Sequence, residues 1–153
     1  MASVKLENLS VKAKDALDDA IDQFLEEAAS ELQSQIQEKT PVDTGQLKGS
    51  WAHVVDESKK EATIGSPLEN AIWTEFGTGE YALEGKGRKG GWLVPAEELT
   101  PKAQSKMRLV VMDGKDFYFT YGKRPVRMMH NAFEENRAKI QRIANQIFKE
   151  RMK

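Results

Sequence analysis

Three stretches of the sequence carry residue types and spacings that could do chemistry. Asp43-Thr44-Gly45 has the form of the triplet from which aspartic proteases build a dyad, two carboxylates from two copies sharing one proton and activating a water. Such a dyad needs an all-β frame that offers each Asp from a loop between strands. Here the triplet follows a long helical pattern, and Asp43 with Gln46 reads instead as a capping box, Asp43 accepting from the first turn and Gln46 reaching back. Gly85-Lys86-Gly87-Arg88-Lys89-Gly90 satisfies Gly-x-Gly-x-x-Gly, whose backbone amides can meet a pyrophosphate at a helix start. No buried strand precedes it, and Gly91-Trp92-Leu93-Val94-Pro95 rather than a helix follows. The stretch therefore reads as a flexible basic loop with Trp92 at its base. Lys86, Arg88, Lys89 and Trp92 either touch phosphates or an acidic protein face, or are simply solvated. His53 and His130 are the only imidazoles, there is no cysteine, and neither histidine has a triad or metal partner in the sequence. Both are assigned to packing or surface. No catalytic residue, metal or cofactor is expected, and the chain is not expected to be an enzyme.

The elements that must position these stretches follow from periodicity. Between Ser10 and Lys39 there is no Pro or Gly, and Leu17, Ile21, Phe24, Leu25, Ala28, Leu32 and Ile36 fall within an arc about 120° wide, an amphipathic helix. Asp15, Asp19, Asp22 and Glu26 gather on a neighbouring stripe, and Thr40-Pro41 stops the helix. At roughly 45 Å it outruns the ~38 Å of a compact domain of this size, so part of it is expected to reach toward another subunit. Trp51 to Val55 and Glu61 to Ile64 read as a hairpin, and Ser66-Pro67-Leu68-Glu69 starts a helix from Pro67 to Phe76, closed by Gly77. Leu68, Ala71, Ile72 and Phe76 share its inner face, and Trp73 and Phe76 are expected in the core. Gly77 to Gly91, with six glycines, reads as a mobile loop. Trp92 to Val94 re-enters the sheet. Lys106 to Met112 and Lys115 to Tyr121 form a second hairpin about Asp113-Gly114, pairing Arg108 with Phe119 and Lys106 with Tyr121, where cation-π contact can occur. After Pro125 a second long helix carries Met129, Ala132, Phe133, Ile140, Ile143, Ala144 and Ile147 inward, with Asn136 in its apolar arc as a register or hydrogen-bonding residue. The predicted fold is α+β: long N- and C-terminal amphipathic helices on a small antiparallel sheet, a short middle helix and a Gly-rich loop, in one domain, 1–153.

Composition agrees with one globular domain: 153 residues, 31% charged and 39% hydrophobic. The longest apolar run, Leu109 to Met112, is far too short to cross a bilayer, no signal-peptide core precedes Ser10, and a cytoplasm-like compartment is expected. The formal net charge of -1 hides a segregation. Up to Thr100 there are 10 basic and 19 acidic residues, and after it 13 basic and 5 acidic. The N-terminal helix and the C-terminal helix, of net -5 and +4, are suited either to pair between neighbouring subunits or to pack antiparallel within one.

The run Thr40-Pro41-Val42-Asp43-Thr44-Gly45-Gln46-Leu47-Lys48-Gly49-Ser50, then Ile64-Gly65-Ser66, then Ala71-Ile72-Trp73-Thr74-Glu75-Phe76-Gly77-Thr78-Gly79, resembles the head-tail joining, or tail-completion, proteins of long-tailed bacteriophages and prophages. Gly122-Lys123-Arg124-Pro125, followed by Ala132-Phe133-Glu134-Glu135-Asn136, looks like that family's closing segment. Members usually have Tyr-Ala at Asn70-Ala71 and Pro-Phe-Leu-x-Pro-Ala at Arg127 to Ala132, and losing those prolines implies an earlier start for the last helix. The resemblance implies a non-enzymatic virion protein, assembled in the host cytoplasm as a ring at the neck. Its partners would be copies of itself, tail-tube or terminator proteins and head-connector proteins, with any DNA contact non-specific and no membrane. Pro41, Val42, Asp43, Thr44, Gly45, Leu47, Ser50, Glu75, Phe76, Gly77, Thr78 and Gly79 are then structural or interface residues. The alternative is a nucleic-acid-binding module using the basic loop and the basic last helix.

Overall fold

A computed structural model describes residues 2–153, with side chains from Ser10 onward. The elements in chain order are α1 (Ala2–Lys39), α2 (Gln46–Gly49), β1 (Ala52–Asp56), β2 (Glu61–Gly65), α3 (Glu69–Phe76), β3 (Trp92–Pro95), α4 (Pro101–Gln104), β4 (Arg108–Met112), β5 (Lys115–Thr120) and α5 (Met128–Arg151). This is the α+β class expected, with the antiparallel strands divided into a two-stranded sheet, β1-β2, and a three-stranded sheet of order β3-β5-β4. The chain forms two compact units. The first holds the chain through Glu38, then Trp51–Gly65 and Asn131–Lys153; the second holds Lys39–Ser50 and Ser66–His130.

In the first unit α1 and α5 run antiparallel along each other. Asn136 Nδ2 donates to Gln35 Oε1 (3.4 Å) and to Ala132 O (2.8 Å), Lys139 Nζ to Glu31 (2.6 Å), and Arg151 Nε to Gln23 (2.9 Å). Phe24 meets Phe148 at a centroid distance of 6.4 Å. The acidic and basic helices therefore pair within one chain. Ala20, Ala28, Ala29, Ile36, Trp51, Ala132 and Ile147 are buried. Each buried isoleucine contributes about 1.5–3 kcal/mol by leaving water. The β1-β2 hairpin lies on α1: Gln33 Nε2 donates to Trp51 O (3.0 Å), the His53 ring bonds Gln33 and Glu26, and Lys60 Nζ holds the Asp22 carboxylate at 2.7 Å. That ion pair raises the Lys60 pKa above its ordinary value. The acidic stripe of α1 thus serves the hairpin through Asp22 and Glu26, rather than α5. Leu17 and Phe133, expected on inward arcs, are 41% and 47% exposed.

In the second unit Leu47, Ala71, Thr74, Glu75 and Met128 are buried. The β4-β5 hairpin turns at Asp113 and Gly114, both with positive φ (53° and 73°), as a two-residue Asp-Gly turn requires. Arg108 pairs with Phe119 as expected, whereas Lys106 and Tyr121 fall outside the ladder. Among the described residues the cation-π contacts lie elsewhere, at Arg88–Trp92, Arg124–Tyr81 and Arg137–Phe133.

Three local expectations are corrected. Helix α3 begins at Glu69, not Pro67, because the Ser66 hydroxyl is engaged in a turn: Ser66 Oγ lies 2.6 Å from Ser50 Oγ and accepts from Leu68 N (3.1 Å). The capping box at Asp43 does not form. Gly45, left-handed at φ 83°, is the N-cap of α2, and Thr44 Oγ1 accepts from Gln46 N (3.3 Å). The stretch from Gly77 to Gly91 is not a free loop, since it contains 3-10 turns at Gly79–Tyr81 and Leu83–Gly85 and is bonded at several points to later segments.

Candidate functional site

Pro41 to Ser50, Glu75 to Gly79, and Lys86, Arg88, Lys89 and Trp92 lie in the second unit, whereas Ile64, Gly65 and the Ala132–Asn136 segment lie in the first. The run from Pro41 to Ser50 is a brace. Asp43 Oδ2 accepts from the Thr100 hydroxyl (2.6 Å), which also caps α4 by accepting from Ala103 N (3.2 Å), and Val42 O accepts from Lys102 Nζ (2.6 Å). Leu47 is buried, and the Ser50 hydroxyl donates to Leu47 O (2.8 Å). Pro41 and Thr44 are exposed. The exposed Asp43 carboxylate thus holds the hydroxyl that caps α4, a structural use of the triplet.

The second motif is a clasp. On α3, Thr74 and Glu75 point inward, and each side-chain polar atom they bring finds a partner. Thr74 Oγ1 donates to Asn70 O (2.7 Å) and accepts from Lys123 Nζ (2.7 Å), while Thr74 O accepts from Val126 N (2.8 Å). The Glu75 carboxylate accepts from Met129 N (2.8 Å) and His130 N (3.0 Å), two of the first amides of α5, which have no acceptor within the helix. A carboxylate at a helix N-terminus is also favoured by the helix dipole. Beyond Gly77, Thr78 N donates to Lys123 O, Lys123 N to Thr78 Oγ1, and Glu80 N to Tyr121 O, each at 2.9 Å.

Glycines allow this approach. Gly79 has φ 61°, and a Cβ there would run into Tyr121 O and the Trp92 ring. Gly77 has φ 75° and closes α3, its N–H donating to Trp73 O (2.9 Å). Burial lowers the Lys123 pKa, and the Asp43 charge acts against that shift.

The basic loop is partly tied. Gly90 N donates to Glu80 Oε1 (3.1 Å), Lys86 pairs with Glu84 (3.0 Å), and Arg88 lies over the Trp92 ring at 5.3 Å. Arg124 lies 4.4 Å over Tyr81. Lys89 is exposed. Among the described residues no group of three or more His, Asp or Glu side chains is placed to hold a metal, and no helix is long and apolar enough to cross a membrane.

Trp73 and Phe76 are not core residues: they are 49% and 55% exposed, and Ile72 is 61% exposed. Thr74 and Lys123 were not singled out as a pair by sequence. The Gly-Lys-Arg-Pro stretch marked the segment, but nothing in a single chain signals which helix it meets.

No curated protein and no solved structure matches the chain. A family model does. Over residues 5–77, just under half of the chain and including most of α1, the Val-Asp-Thr-Gly brace and all of α3, the protein matches the HK97-gp10-like family, described as "Bacteriophage HK97-gp10, putative tail-component", and is similar there to a phage tail-associated structural component, in agreement with the resemblance carried by the motifs within that range.

Proposed function

We propose that the protein is a non-enzymatic virion subunit that completes the neck, joining copies of itself into a ring where head meets tail. The observation that carries this is the family match over residues 5–77, reinforced by the use of its motif residues. Asp43, Thr74, Glu75 and Thr78 spend their polar atoms on hydroxyls, amides and a lysine of the same unit, as a scaffold does. Ring partners would be identical copies, and the ring would dock on tail-tube or terminator proteins and on the head connector. The test is mass spectrometry and electron microscopy of purified virions, with and without the gene. The protein is expected in full particles, and its loss is expected to leave separate heads and tails; normal particles without it would overturn the reading.

A second reading, contact with DNA, is favoured by the cation-aromatic cluster around Gly79, in which Arg88 stacks on Trp92 and Arg124 on Tyr81. A stacked guanidinium keeps its N–H edges for phosphate. Binding to duplex or single-stranded DNA that falls steeply with salt would support it, and no binding at low salt would remove it.

A further inference from the structure

Helix α3 turns Thr74 and Glu75 inward and its large apolar side chains outward. Glu69, Ile72, Trp73 and Phe76 follow the i, i+3, i+4, i+7 spacing of one helix face, opposite the buried Ala71, Thr74 and Glu75. Three large side chains, each about half exposed, present roughly 300 Å² of apolar surface, comparable to the largest patch on a typical monomer, which is often functional.

Helix α1 leaves a matching piece uncovered. Helix α5 ends at Arg151, whose guanidinium reaches Gln23, and the hairpin reaches Asp22 and the Asp18 carbonyl through Lys60. From Ser10 to Asp15 every residue is exposed, and Leu17 is 41% exposed. At 100° per residue Ser10, Ala13, Lys14 and Leu17 share one face. Ser10 and Ala13 are small, so the apolar surface of Leu17 stands accessible on this face. Its charge is complementary as well: Lys14 stands beside Leu17, and the exposed Glu69 stands in line with Ile72 and Phe76.

We propose that the Ser10–Leu17 face of α1 packs on the Ile72–Trp73–Phe76 stripe of α3 in a second copy of this chain, with Lys14 facing Glu69. The proposal rests on the assembly reading and names its interface. Because two different surfaces meet, the contact is head-to-tail and propagates from copy to copy, closing where the rotation allows. At roughly 300 Å² it is well below the ~800 Å² per partner of a stable interface, so in free solution the contact is transient and is completed by ring closure.

The chain has no cysteine, so single introduced cysteines report cleanly. Ala13→Cys and Ile72→Cys proteins, mixed and oxidised, are expected to give a disulfide-linked heterodimer. Lys14→Glu should lower its yield several-fold, and Lys14→Glu mixed with Glu69→Lys in the Ile72→Cys chain should restore it. Trp73→Ser in that chain should abolish the product while leaving the circular dichroism unchanged. Ala13→Cys linked only to itself, or no heterodimer from a protein that sedimentation shows to self-associate, would overturn this pairing and leave the assembly reading standing. Absence of any association in solution would also overturn it, while the assembly reading is judged separately by the content of virions.

Discussion

The Glu75 carboxylate is where sequence and packing meet in one side chain. It is 5% exposed and takes two amides from the start of α5. Glu75→Ala would leave both amides and the surrounding space without a partner, at a cost of about 3 kcal/mol, since hydrogen bonds to charged groups contribute about 1.5–3 kcal/mol and unmade buried ones cost about as much. Urea denaturation measures this, and a loss under about 0.5 kcal/mol would mean that the cap is dispensable. A paired test concerns glycines that look alike in sequence. Gly79→Ala must place a Cβ against Tyr121 O and the Trp92 ring, whereas Gly85→Ala, at a similar φ of 67°, meets nothing within 4 Å. The second should cost only the left-handed penalty of about 1–2 kcal/mol, and the first substantially more. Equal destabilisation of the two would show that Gly79 is needed for its backbone angle alone and not for close approach.

At the scale of elements, the α1-α5 pairing makes a pH prediction. The hydrogen bond from Lys139 holds the Glu31 carboxyl below its ordinary value of 4.5, against an opposing contribution from burial. A lowered folded-state pKa stabilises the fold fully above 4.5 and loses that contribution as pH falls through the folded value. Lys139→Met should therefore lower stability at neutral pH by roughly 0.5 kcal/mol, as for other solvent-screened pairs, and the difference from the unmodified protein should vanish in acid. A difference that persists unchanged into acid, followed by thermal unfolding, would assign the effect to the lost lysine stem.

What was legible in the sequence follows the same local logic. Both long helices, both hairpins and the Asp113-Gly114 turn are written in periodicity and turn chemistry, which act within a few residues. The facing of α3 is not. An amphipathic reading sends Ile72 and Phe76 inward, but the inner face is claimed by Thr74 and Glu75, whose partners Lys123, Met129 and His130 lie 49, 54 and 55 residues along the chain. Likewise Asp43 has the spacing of a capping box and instead bonds Thr100, 57 residues away.

At the scale of the molecule, the charge segregation seen along the chain becomes a property of the two units. The first holds 11 basic and 15 acidic residues, net -4, and the second 12 basic and 9 acidic, net +3. The acidic stripe of α1 divides in two. Asp22 is bonded to Lys60 and Glu26 to His53, so these carboxylates belong to the monomer. Asp15 and Asp19 are exposed. Reversing Asp22 to Lys would set two ammonium groups against each other and should lower the unfolding free energy of the isolated chain. Reversing Asp15 and Asp19 together should leave that stability within about 0.5 kcal/mol, as for other surface changes, while bringing the first unit from -4 to 0. If copies meet head-to-tail, acidic unit toward basic unit, this removes the long-range attraction that guides their encounter. The association rate should fall and lose most of its salt dependence, with little change in dissociation. Stopped-flow light scattering across a salt series, beside urea denaturation of the same variants, separates an effect on encounter from one on folding. An Asp15→Lys/Asp19→Lys protein that associates as fast as the unmodified one at low salt would place those carboxylates outside the path of encounter.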